Sequence, residues 1–314
     1  MYCMMNYDLG LCCISLMLKE RGIQFQTMTY TQFAKLPRQQ AMQTLSKRIQ
    51  NNFNVVAAIV HHCTALGIKR YRLSSDLIPV VNHPDVHLSI DDFADAQDIY
   101  NSINVAKQAI KSTNIRTSAH PPEFISLTSD NEQVVNNSIR DLEMHAVVFD
   151  LLELPQTHES PLNIHVRKQG DAQQLADTFL ANLDKCSDSV KKRLVLEVND
   201  NKNGMWTISN LHKYFYKAAG IPVTYDNLHH TMIKDAMPHD EAFEMAHSTW
   251  NGIRPVFHYS EGINGTRSHA EYATGLPVDY GRPVDYEVEL KAKDLAIVPM
   301  LKCIQATASD DCVD

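Results

Sequence analysis

Nine residues define the chemistry open to this chain: six histidines, His83, His120, His165, His229, His258 and His269, and three acids, Glu197, Asp226 and Glu289. All of them sit at or just beyond the ends of short strand-like runs. A mixed imidazole and carboxylate set of this size supplies ligands for two or three metal ions. It suits Zn²⁺, Mn²⁺ or Fe²⁺, whereas Ca²⁺ and Mg²⁺ prefer oxygen alone. No single helix or hairpin gathers so many side chains. A closed ring of parallel strands does, because the strand C-termini converge on one face. His61, His62, His87, His145, His158, His212, His239 and His247 fall in helices or loops without acidic partners at strand ends, so they are read as structural or solvated. His230 neighbours His229 but should point elsewhere.

The elements that must position these ligands alternate along the chain. Strand candidates are Leu9 to Ser15, Ile68 to Leu73, Ile115 to His120, Leu162 to Val166, Leu194 to Val198, Pro222 to Tyr225, Ile253 to Tyr259 and Val284 to Leu290. Between them, Val55, Val56, Ile59, Val60, Cys63 and Leu66 recur at helical spacing, with Gly67 as a C-cap signal. Further helices are expected over Ile103 to Ile110, Ala172 to Leu183, Ile208 to Ala219, Asp240 to His247 and Asp294 to Ile304. Ser129 and Glu132 suggest a capping box for a helix whose apolar face runs Val135, Ile139, Leu142, Ala146 and Phe149. Repeated βα units of this kind predict a single (β/α)8 TIM-barrel domain, with its core over residues 9–304 and a short acidic tail at 305–314. An open doubly wound sheet is the structural alternative, but no G-x-G-x-x-G or Walker loop supports its usual ligands.

Composition narrows the class. With 314 residues, 44% hydrophobic and 21% charged, the chain has the proportions of a globular enzyme. The formal charge of -8 argues against binding nucleic acid through a basic surface alone, although bound divalent ions would add positive charge where phosphate must sit. Seven cysteines form no C-x-x-C, and Cys12 and Cys13 are adjacent, which points to a reducing, cytoplasmic setting. No signal peptide, membrane span or obligate protein partner is implied. H-E-x-x-H and G-x-S-x-G are both absent, and an apolar strand makes burial the expected state of Cys12 and Cys13.

Several segments match a known family in order: RYRLSSDLIPVVNH (70–83), TSAHPPEF (117–124), LNIHV (162–166), LVLEVND (194–200), VTYDNLHH (223–230), FHYS (257–260), and the pieces around His269 and Glu289. Together they resemble the UV damage endonucleases, whose barrel is similar to those of endonuclease IV and xylose isomerase. The resemblance implies a cluster of two or three ions, commonly Mn²⁺, with Zn²⁺, Co²⁺ or Fe²⁺ as substitutes. It implies that Glu197 bridges two ions, that Asp226, His258 and Glu289 complete one, and that His120 and His165 complete the other. His229 and His269 would hold a third, with His83 beside the cluster, so Glu197, His83 and His229 are the expected catalytic residues. The implied substrate is damaged double-stranded DNA, nicked 5′ to a UV photoproduct or abasic site. Arg72, Glu123, Phe124, Tyr259, Arg267, Lys291 and Lys293 are the expected DNA contacts.

The departures from the family pattern are as specific as the matches. The family generally has H-P-G-Q and an aromatic residue where this chain has His120-Pro121-Pro122-Glu123-Phe124. Its DNA-probing tyrosine in L-G-Y is Leu11, and a lysine two residues before the strand-seven histidine is Val256. These changes keep two alternatives open: a sugar isomerase or epimerase on the same barrel, and a damaged-DNA binding protein with altered catalysis.

Overall fold

A computed structural model describes residues 6–201, 203–233 and 237–310. Eight strands form one sheet: β1 (Tyr7–Cys12), β2 (Arg70–Leu73), β3 (Arg116–Ala119), β4 (Leu162–His165), β5 (Leu194–Glu197), β6 (Val223–Thr224), β7 (Val256–Tyr259) and β8 (Val284–Val288). Neighbouring strands are parallel and lie in the order β6-β5-β4-β3-β2-β1-β8-β7. The ring closes through a single parallel bridge, Asp226 to His258, where the His258 amide donates to the Tyr225 carbonyl at 3.0 Å. Helices lie between the strands, so the fold is a TIM barrel.

The barrel interior explains why these strands are not uniformly apolar, as buried parallel strands usually are. Side chains alternate faces along a strand. In β8 and just past its end, Asp285, Glu287 and Glu289 point inward, while Val284, Tyr286 and Val288 join the buried apolar core. In β2, Arg70 and Arg72 do the same. Arg70 reaches Asp285 at 2.7 Å and Arg72 reaches Glu289 at 2.5 Å, across β1. Gly10 of β1 makes that crossing possible: a Cβ there would stand 2.8 Å from the Arg70 Cβ and 3.3 Å from Glu287 Cγ.

Each expected strand is present, though most are shorter than the apolar run that signals them. β1 ends at Cys12 rather than Ser15, because Cys13 takes a left-handed φ of 66° that breaks the extended path. The helix ending at Leu66 begins at Arg38, with Ala41, Leu45, Ile49 and Phe53 as its buried stripe, and Gly67 closes it at φ 82°. The Ser129 and Glu132 capping box is not formed. Asn131 is the N-cap, its side chain accepting from Gln133 N and Val134 N. Residues 208–219 are helical but contain a π turn at His212–Tyr216. The last helix runs from Asp294 to Asp310, and residues 311–314 of the expected tail lie outside the described residues. No helix of the described residues is long and apolar enough to cross a membrane.

Candidate metal centre

Six strand ends deliver their side chains to one place. His120 follows β3, His165 and Glu197 end β4 and β5, Asp226 follows β6, His258 lies in β7, and Glu289 follows β8. Together with His229, their ligand atoms form three groups, each within 4.8 Å: His120, His165 and Glu197; Glu197, Asp226 and His229; and Asp226, His258 and Glu289. Glu197 and Asp226 each belong to two groups, so a buried carboxylate links each neighbouring pair. Asp226 also caps the helix Asn227–Met232, accepting from His229 N at 2.7 Å, and this fixes the ring of His229 beside it.

Hydrogen bonds to the outer ring nitrogens leave the inner ones with lone pairs. His120 Nδ1 meets the Pro121 carbonyl at 3.1 Å, and His269 Nδ1 meets the Glu289 carbonyl at 2.7 Å. Each thereby keeps Nε2 as an acceptor, the tautomer that a metal-binding histidine needs. His258 is held the other way round, with Nε2 3.4 Å from Glu287 and Nδ1 facing Glu197 at 3.1 Å and Glu289 at 3.6 Å. Glu287 is itself fixed by the Ser118 hydroxyl and by Arg72 at 3.7 Å. A Glu287→Gln substitution should lower metal affinity by roughly 10- to 100-fold, the usual cost of losing such an outer partner. Competition against a chelating dye measures this, and an unchanged affinity would show that the outer nitrogen of His258 needs no carboxylate.

Electrostatics and unsatisfied atoms agree with a cation site. Burial works against charge on Glu197, but His258 and His165 outweigh it and hold its carboxyl well below the usual range. Burial likewise opposes charge on His258, while Glu197 and Glu289 raise it to about 10. Burial dominates at His165 and lowers it to about 4, leaving a neutral ring with a free lone pair. Glu197 Oε1, Asp226 Oδ2, His258 Nδ1 and His165 Nδ1 are buried without a hydrogen bond. Such atoms are costly to leave unpaired. Divalent cations fit this donor set, since they would take the positions where the cluster otherwise concentrates protons.

The cluster opens into a cavity of about 590 Å³ lined by, among others, His120, His165, Glu197, His229, His269 and Glu289. His269 stands at its edge, its ring centroid 6.5 Å from that of His229. Glu123, Arg267 and Lys293 also line it, Lys291 donates to Ser268 Oγ at 3.2 Å beside it, and Phe124 is 69% exposed. Three expectations are corrected. His83 does not join the cluster: it stacks on Tyr30 with centroids 4.1 Å apart, and its Nδ1 accepts from Asp85 N. Arg72 is buried and engaged by Glu289 and Glu287, so it holds a ligand in place rather than offering a free cation. Tyr259 is buried, donating its hydroxyl to Glu261 at 2.9 Å. Leu11 and Val256 are buried too.

Sequence reasoning missed Asn163, Arg167, Asp200 and Glu287, and Cys13, expected to be buried in a strand, is instead half-buried just past β1. Asn163 donates to Glu197 Oε2 at 2.5 Å, and Arg167, Asp200 and Cys13 line the cavity. A period-2 reading of strands β4 and β8 finds Asn163 two residues before His165 and Glu287 two before Glu289.

A family model described as UV-endonuclease UvdE matches residues 7–311. The UV DNA damage endonuclease of Nostoc sp. (strain PCC 7120) is 30% identical over 299 residues, covering 92% of this chain and 88% of that protein. The crystal structure of SacUVDE superposes with a TM-score of 0.81 at 24% identity, covering 96% of this chain and 99% of that one. A D-tagatose 3-epimerase-like protein shares the barrel at a TM-score of 0.55 and 11% identity, over 98% of this chain and 100% of that one. Matched along nearly its whole length, the chain belongs to the UV-endonuclease UvdE family.

Proposed function

We propose that this protein is a metal-dependent endonuclease that nicks damaged double-stranded DNA 5′ to the lesion, leaving a 3′-hydroxyl and a 5′-phosphate. The observation that carries this reading is the convergence of six strand ends on Glu197 at the floor of an open cavity, in a chain of this family. We assign Glu197, Asp226, His229, His258, Glu289, His120, His165 and His269 as ligands for two or three ions, with Mn²⁺ preferred and Zn²⁺, Co²⁺ or Fe²⁺ able to substitute. Such ions lower the pKa of water and stabilise charge on phosphate and leaving oxygen. The protein's own groups do the rest. Arg267 and Lys293 at the mouth hold backbone phosphates, and Phe124 presents an apolar face to an unstacked base step. The buried carboxylates and the ring tautomers keep the ligand atoms in place before substrate arrives.

The epimerase alternative rests on shared fold alone, which does not carry function. A protein that binds lesions without cutting has no physical need for this complete set of oriented donors. Mn²⁺-loaded protein is expected to nick duplexes bearing a pyrimidine dimer or an abasic site and to spare undamaged duplex. Failure to incise any damaged duplex would falsify the proposal, and turnover of small sugars without nicking would establish the epimerase reading.

A further inference from the structure

Two arginines at the mouth of the cavity are already occupied by carboxylates. Arg167 meets Glu123 at 2.9 Å, and Arg267 meets Asp200 at 3.3 Å; all four residues line the cavity. Arg167 follows β4 by way of His165 and Val166, so its stem is anchored beside the ligand cluster. The two mouth arginines sit on different walls, one past β4 and one in the segment between β7 and β8.

The pairing between Arg167 and Glu123 is well exposed, with side chains 38% and 76% accessible. Exposed pairs of this kind contribute only about 0–1 kcal/mol, so a phosphate can displace the carboxylate. The guanidinium then gains a planar, charge-assisted contact that a phosphate fills better than a mobile carboxylate does. Until that exchange, Glu123 both neutralises Arg167 and repels phosphates arriving at the rim.

We propose that Arg167 is a phosphate-clamping, specificity-determining residue of this site and that Glu123 is its built-in competitor. Together they set how tightly the chain holds duplex that carries no lesion. An acidic residue at the DNA entrance is then a device against indiscriminate binding, consistent with a chain whose net charge is -8. The inference rests on the DNA-incising reading above.

The test compares Mn²⁺-loaded wild type, Glu123→Gln, Arg167→Gln and the double variant in binding to undamaged duplex across 50–200 mM salt. Because Glu123 competes for the guanidinium, wild type should make this contact only in part: Glu123→Gln should bind more tightly with a steeper slope of log affinity against log salt, and its slope and that of Arg167→Gln should differ by about 0.9, one phosphate contact. Over the salt range the affinity advantage of Glu123→Gln over Arg167→Gln should therefore shrink by roughly 3- to 4-fold. Arg167→Gln should bind more weakly with a shallower slope, and the double variant should match it. If Glu123→Gln tightens binding equally in the Arg167→Gln background, its effect is long-range charge and the proposal is overturned. An unchanged salt slope overturns it as well. Incision of a duplex with an abasic site or pyrimidine dimer by the same wild-type preparation separates the two readings. Normal incision with additive binding effects refutes only the clamp, whereas a wild type that neither binds nor incises duplex refutes both.

Discussion

Glu197→Gln should abolish incision, with a loss on the order of 10³-fold or more, and should lower the number of ions bound per chain. The reason is positional. Oε2 faces His120 at 3.0 Å and His165 at 3.6 Å, while Oε1 faces His229 at 3.0 Å and His258 at 3.1 Å. One carboxylate therefore faces ligands from three strand ends and from the helix that follows β6. The amide of glutamine keeps the volume but replaces one oxygen by a donor that cannot bind a cation, and it removes the negative charge at the centre of the cluster. Asn163, which donates to Oε2 at 2.5 Å, would then favour the rotamer that turns the amide nitrogen toward His229 and His258. Elemental analysis of the purified variant and a nicking assay on the abasic duplex read the two effects separately. Full metal content together with a normal rate would remove Glu197 from the centre of the mechanism. Full metal content with no nicking would assign it a role in the reaction but not in holding the ions.

Much of this site was legible in the sequence because strand ends in a barrel are fixed by the period of the apolar runs. His120, His165, Glu197, Asp226, His258 and Glu289 each lie at such an end, and the fold brings all of them together. His83 was misplaced for an equally physical reason. It follows β2 by a long irregular segment rather than directly, so sequence proximity to a strand end did not fix where its ring would lie, and it stacks on Tyr30 instead. Arg72 and Tyr259 were misread because a cation or phenol near a strand end signals either an inward partner or a surface contact, and only the packing decides. The partners on the far side of the ligands lie inside strands whose apolar residues carry the stronger pattern. Asp285 and Glu287 break an apolar strand at alternate positions, and Arg70 and Arg72 do so in β2. Charged residues at period 2 in two strands that share a neighbour are the signature of paired inward side chains.

That inward ladder sets the second large effect. Asp285→Asn should destabilise the fold by roughly 3–5 kcal/mol, the cost of removing one partner from a buried ionic group. Asp285 Oδ2 accepts from Arg70 at 2.7 Å and from Arg116 at 2.6 Å, and Oδ1 faces Arg254 Nε at 2.7 Å. Arg116 and Arg254 have partly exposed second partners, Glu159 at 2.9 Å and Asp8 at 3.7 Å. Arg70 is fully buried, and its other carboxylate, Glu287, stands 3.9 Å away. Burial, then repulsion by Arg70, already hold the Arg116 guanidinium below its ordinary pKa, so the group is crowded even with Asp285 charged. Removing that charge leaves neighbouring guanidinium groups without their shared counter-ion. Because Asp285 lies near the start of β8, at the face of the barrel away from the strand C-termini, the damage should be to stability rather than to the metal centre. Urea unfolding should show a lower midpoint at unchanged slope, while the folded variant binds metal as the wild type does. A wild-type midpoint would mean that Glu159, Asp8 and Glu287 suffice to hold the three arginines. A lost metal site in a variant of normal stability would mean instead that the ladder from Asp285 through Glu287 to Glu289 transmits position from the floor of the barrel to the ions.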